Sequence, residues 1–162
     1  MTVSGLGYAA AVALAVIFSL AAIAKARDLE ATEQDFTALG VPRAAFFARF
    51  VPIAEFSIVI LLLIVPPAGA IAALVTLAFF TTFLIGRLRA GVRVPCACFG
   101  AAKARPISAV DIARNFGLMI LAGASLGTDR PTRVTLVDLI VIVVGIGAAI
   151  GALRVADRVR SR

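Results

Sequence analysis

The chain has no histidine and only two cysteines in 162 residues. Without histidine there is no imidazole acid–base chemistry and no His-based metal site. A closed zinc site wants four ligands, and Cys96 and Cys98 are the only thiols. No Lys or Arg precedes Lys25. The first apolar stretch therefore lacks the positive flank of a secretory signal and is expected to stay as a membrane anchor. Charge is scarce as well. Asp, Glu, Lys and Arg make up 15% of the chain, against 62% hydrophobic residues and a mean hydropathy of +1.06. A soluble domain is about half apolar.

What is present is a series of long apolar runs. A helix crossing the hydrocarbon core needs about 20 mostly apolar residues. Segments 6–25, 46–65, 68–88, 107–126 and 134–154 fit that length, the fourth being apolar mainly in its second half. The expected fold is an all-α integral membrane protein in the lipid bilayer. It is a compact bundle of four to five transmembrane helices, forming one domain over 1–162. Between the first two spans, Leu29, Phe36 and Leu39 share a helical face, and Gly40 followed by Pro42 is a stop signal. This predicts a short helix lying in the membrane interface. Near the C-terminus, Gly147 and Gly151 have the small-xxx-small spacing that suits close helix packing, within the bundle or in a homodimer.

The net charge of +7 does not make this a nucleic-acid binder. Its basic residues sit at helix ends, where the positive-inside bias places them. With five spans, thirteen of the 16 Lys and Arg residues fall on one side and two on the other, with Arg114 inside the fourth span. The heavy side is then cytoplasmic, as are the C-terminus and the cysteine loop, 91–106. The N-terminus is outside. This topology also brings the end of span 1, the start of span 2, the end of span 3 and the start of span 4 to one membrane face. Lys25, Glu55, Asp111, Arg114 and Asn115 are thereby expected to gather there.

A charge at membrane depth costs about 2.5–3.5 kcal/mol on insertion scales, so it usually faces the bundle and has a partner. Glu55 is the clearest case, and Lys25 and Arg114 are the candidate cations. Asp111 stands three residues before Arg114 and four before Asn115, so the three share a stripe. Ser108 with Asp111 makes a capping-box variant. The bland reading is that these groups only lock helices together. Asp138, near the opposite face, is read as interfacial.

Cys96 and Cys98 lie in Pro95-Cys96-Ala97-Cys98-Phe99-Gly100. Pro95 and Gly100 predict a tight turn or a short re-entrant piece. Cysteines two apart can close a small, strained disulfide, and strained disulfides tend to be catalytic or regulatory. Arg93, Lys103 and Arg114 would favour the thiolate. Redox exchange, metal handling and two inert buried thiols compete as readings. Neither a cofactor nor a metal is predicted. A thiolate pair suits Cu(I) and a membrane redox protein can use a quinone, but no residue pattern supports either.

At these residues the chain resembles the MauE family of methylamine utilisation membrane proteins. The resemblance rests on Cys96-Ala97-Cys98-Phe99-Gly100, then Ile107-Ser108 and Arg114-Asn115. The N-terminal half is similar to the wider DoxX-like group, with Lys25, the run Leu39-Gly40-Val41-Pro42, and Glu55 in the next helix. The resemblance implies a multi-pass protein of the bacterial inner membrane. It implies a role in maturing disulfide-rich exported proteins such as methylamine dehydrogenase, with a thioredoxin-like, MauD-type partner. Cys96 and Cys98 carry over as the catalytic thiol pair, and Arg114 and Asn115 as pattern residues without an assigned role. The alternative is a non-enzymatic scaffold, or a carrier of a metal or small molecule. One tension follows. Disulfides of exported proteins form outside the cytoplasm, yet the charge count puts the loop inside. Either the pair is reached in turn from both faces, or it meets a cytoplasmic thiol, or the charge rule misleads here.

Overall fold

A computed structural model describes residues 3–92, 95–96 and 105–128. The predicted span 134–154, Cys98, Asp138 and the Gly147/Gly151 pair lie outside the described residues. The described residues form five helices: α1 (Val3–Arg27), α2 (Leu29–Ala38), α3 (Ala44–Ile64), α4 (Pro66–Arg89) and α5 (Ala109–Ser125). Two short strands, β1 (Pro95–Cys96) and β2 (Arg105–Pro106), precede α5.

Helices α1, α3, α4 and α5 close a four-membered bundle. The extensive contacts run from α1 to α3, α3 to α4, α4 to α5 and α5 back to α1. At one end, Gly7 of α1 packs against Ala124 and Thr128 at the end of α5. Among the described residues, three helices are long and apolar enough to cross a membrane: Leu6–Arg27, Ala44–Ile64 and Pro66–Arg89. Helix α5 has 17 residues, or about 25 Å at 1.5 Å per residue, roughly a turn short of a 30 Å core.

The outside of this bundle is oily. Ile53, Val75, Phe79 and Ile120 are 64%, 64%, 70% and 74% exposed. Lys25 and Glu55, by contrast, are buried at 4% and 6%. Apolar patches of this extent do not face water in soluble monomers. In lipid the arrangement is the stable one, because a charge is cheapest where it meets another inside the bundle. The chain is an all-α membrane protein.

The helix ends follow local chemistry. Asp28 caps α2, its side chain accepting from the Ala31 N–H at 3.0 Å. Gly40, at φ +72°, supplies the left-handed residue that ends the segment. Helix α2 packs on α3, burying Phe36 and, just past its end, Leu39, while Leu29 and Glu30 are exposed and Glu33 and Asp35 are half-buried. The turn from α3 to α4 is a single residue, Val65, followed by Pro66 and Pro67 at the start of α4, where a missing N–H is harmless. At the start of α5, the Ser108 N–H donates to Asp111 Oδ2 at 3.0 Å, completing the expected capping box.

Beyond Cys96, the predicted turn or re-entrant piece up to Gly100 lies outside the described residues. The base of the cysteine segment is a pair of antiparallel strands, with Pro95 opposite Pro106 and Cys96 opposite Arg105. Pairing of this kind links residues eleven and nine apart, which no local propensity reports. Proline tolerates a sheet edge, and Pro95 opens β1. Strand β1 also packs against α2.

Candidate functional site: a buried polar layer

Two apolar clusters occupy the bundle. The larger includes Leu14, Phe18, Ile58, Leu62, Leu77 and Leu118. The smaller, beside α2, includes Phe36, Leu39, Ala48, Leu84 and Ile107. A layer of polar side chains separates them along the helices. On α3, Glu55 falls between Ala48 and Ile58. On α4, Thr81 falls between Leu77 and Leu84. On the last segment, Asn115 falls between Ile107 and Leu118.

At the centre of the layer, Lys25 Nζ donates to both Glu55 oxygens, at 2.7 Å and 3.0 Å. The third donor direction of the ammonium meets the Ala21 carbonyl at 3.4 Å. Two carboxylate contacts are the charge-assisted geometry that offsets desolvation best. On the facing side, Asn115 is 1% exposed, and its Nδ2 donates to Thr81 Oγ1 at 3.1 Å. The Thr81 hydroxyl in turn donates to the Leu77 carbonyl at 2.6 Å. Asn115 Oδ1 accepts no hydrogen bond among the described residues. With Lys25 and Glu55, Asn115 lines a cavity of about 20 Å³, room for a single water molecule.

The structure thus brings three of the five predicted cluster residues, Lys25, Glu55 and Asn115, around one small cavity. The partner of Glu55 is Lys25. Arg114 lies 3.7 Å from Asp111 with its side chain 37% exposed. Those two belong to the first turn and a half of α5, where Asp111 also serves the cap. Thr81 was missed from the sequence. Its only signal is a pair of hydroxyl residues, Thr81-Thr82, in a helix whose other polar side chains are Thr76 and the terminal Arg87 and Arg89, and hydroxyls can always bond their own helix. Among the described residues, no three of Cys, His, Asp and Glu come together as a metal site. Cys96 is placed by its backbone in β1, and Cys98 lies outside the described residues.

An oily helical bundle closed over an internal ion pair defines a multi-pass membrane protein. Its relatives make it more specific. The family model "Methylamine utilisation protein MauE" matches residues 3–128, and the chain belongs to the MauE family. It is 30% identical over 127 residues to a methylamine utilization protein MauE from Paracoccus denitrificans, covering 75% of this chain and 68% of that protein. No solved structure matches. The family match ends where the described bundle ends, so the ion pair, the Asn115–Thr81 contact and the cysteine segment all fall inside it.

Proposed function

We propose that this protein is a thiol–disulfide exchange component of the bacterial inner membrane. In this reading Cys96 and Cys98 exchange with a thioredoxin-like partner and support disulfide formation in exported proteins. The observation that carries it is the lone Cys-x-Cys pair, in a basic segment whose first strand packs on α2 of a MauE-family bundle. The relative's name ties that protein to methylamine utilisation, which makes a methylamine-oxidising enzyme subunit one candidate client.

The exchange balances as follows. A partner thiolate attacks one sulfur of the Cys96–Cys98 disulfide, forming a mixed disulfide and releasing the other cysteine as a thiolate. The partner's second thiolate then displaces the remaining bond. The partner leaves oxidised, and the pair, having taken two electrons, is left as a dithiol. A two-apart pair suits the oxidising role because its strained ring is easily reduced. By the charge count, the loop and the C-terminus face the cytoplasm and the N-terminus lies outside.

With one cysteine replaced, the intramolecular disulfide cannot form. The remaining thiolate can still attack the disulfide of an oxidised partner, the reverse of the last step, and it then has no neighbour to displace the mixed disulfide. Either Cys96→Ser or Cys98→Ser, expressed in cells and quenched with acid, should accumulate a reductant-sensitive adduct with a thioredoxin-fold protein. If neither captures a partner, and the unaltered pair never oxidises in cells, the exchange reading fails.

The Lys25–Glu55 pair favours a second reading, a scaffold or carrier subunit that needs no thiol. Under it, function survives the double Cys→Ser change and is lost in Glu55→Ala.

A further inference from the structure

A second, larger space opens on the far side of Glu55. Its volume is about 430 Å³, and it lies between α2, α3 and α4. That is within the roughly 300–1,000 Å³ of small-molecule sites. Six of the chain's 11 phenylalanines line it: Phe36, Phe47, Phe50, Phe79, Phe80 and Phe83. The Phe47 and Phe50 rings stand at 85° with centroids 6.5 Å apart, so the wall offers both a ring face and a ring edge to a planar guest.

Two features narrow the guest. Phe50, Val75 and Phe79 line the pocket and are also exposed, and they lie on two membrane-spanning helices. The pocket therefore opens sideways into lipid, which selects a lipid-soluble molecule. Glu55 also lines it. Each Glu55 oxygen already accepts from Lys25. A carboxylate has about four acceptor directions in all, so acceptor capacity is left over. What it can take is a hydrogen-bond donor. An acyl chain offers none, whereas a hydroxylated ring offers a donor and a flat face together.

We propose that this pocket binds the ring of a lipid-soluble phenol, hydroquinones included, with the ring hydroxyl donating to Glu55 and the ring held among the phenylalanines. The site is built from α2, α3, α4 and the α2–α3 connection, and it stands whether or not Cys96 and Cys98 exchange disulfides. It gives the ion pair a second task. Two contacts from Lys25 hold the Glu55 carboxyl group in place, and the ligand reads its remaining acceptor capacity.

The test uses the full chain in phosphatidylcholine nanodiscs and two photoreactive probes. One is an azidophenol with a short prenyl tail, and the other is its methyl ether. The phenol should crosslink to α3 and α4, and unlabelled phenol should compete it away. The ether, which lacks only the donor, should label about tenfold less at equal concentration, the loss expected for a hydrogen bond to a charged group. Ala54→Phe, which adds a ring to the pocket wall and leaves Lys25 and Glu55 unchanged in sequence, should abolish the competed labelling. Equal labelling by the ether, or equal competition by a fatty acid, would overturn the proposal and leave a groove for acyl chains. Labelling that persists in Ala54→Phe would overturn it too, by placing the site elsewhere. The probe comparison uses the unaltered protein, so it stands even if Ala54→Phe fails to fold.

Discussion

Replacing Glu55 with Ala should destabilise the bundle by about 3–5 kcal/mol, because it leaves the Lys25 ammonium buried without its counter-charge. Lys25 is 4% exposed, and it also donates to the Ala21 carbonyl at 3.4 Å, a neutral acceptor that cannot replace the carboxylate charge. Most of that loss comes from the stranded cation rather than from the attraction removed. The reverse change, Lys25→Ala, strands the carboxylate and should cost a similar amount. Removing both charges together should not. Lys25→Met with Glu55→Leu keeps the volume and removes both desolvation penalties, so its stability should return close to that of the unaltered chain, or exceed it. Thermal unfolding in detergent reads the difference, with a fall of roughly 10 °C expected for each single change. Double-variant stability matching the sum of the two single losses would contradict the pairing. The same double variant separates structure from ligand reading, since it should keep the fold and lose the phenol.

Gly69→Ala should also cost heavily, about 3 kcal/mol, at the upper end for overpacking. A Cβ at Gly69 would sit 2.7 Å from the Leu61 carbonyl carbon and collide with the backbone of Leu62. Backbone cannot step aside as a side chain can. The cause is the short connection between α3 and α4, in which Val65 alone separates the two helices, so their first and last turns are pressed together. Gly86 in the same helix has nothing within 4 Å of a built Cβ. There, Ala should be neutral or raise stability by about 0.5–1 kcal/mol, as in any helix interior. The contrast between the two variants, measured in one unfolding assay, isolates the close approach from helix propensity. Equal effects at both positions would show that the α3–α4 contact is looser than described.

The helices were legible because lipid makes a simple demand: long apolar runs, broken by turns and charges. Glu55 finding Lys25 was legible for a related reason. Spans that alternate in direction bring the end of one and the start of the next to the same face, and an isolated carboxylate there needs a cation. The cap of α5 could be read from Ser108 and Asp111 alone. What could not be read depends on helix rotation and non-local pairing. The hairpin base joins Cys96 to Arg105 through backbone hydrogen bonding that leaves no trace in composition. The six pocket phenylalanines run from Phe36 to Phe83 and look like ordinary lipid-facing residues until three helices turn them toward one space. Thr81 carries no signal beyond its hydroxyl until Asn115 packs against it.

The thiol pair is tested most directly by a membrane-impermeant maleimide, applied to intact cells and to inverted vesicles, each with and without prior reduction. The account predicts labelling of Cys96 and Cys98 in inverted vesicles, increased by reduction because part of the pair exists as a disulfide. Full labelling without reductant, unchanged by it, would contradict a redox pair. Labelling confined to intact cells would place the loop on the outer face and reverse the topology.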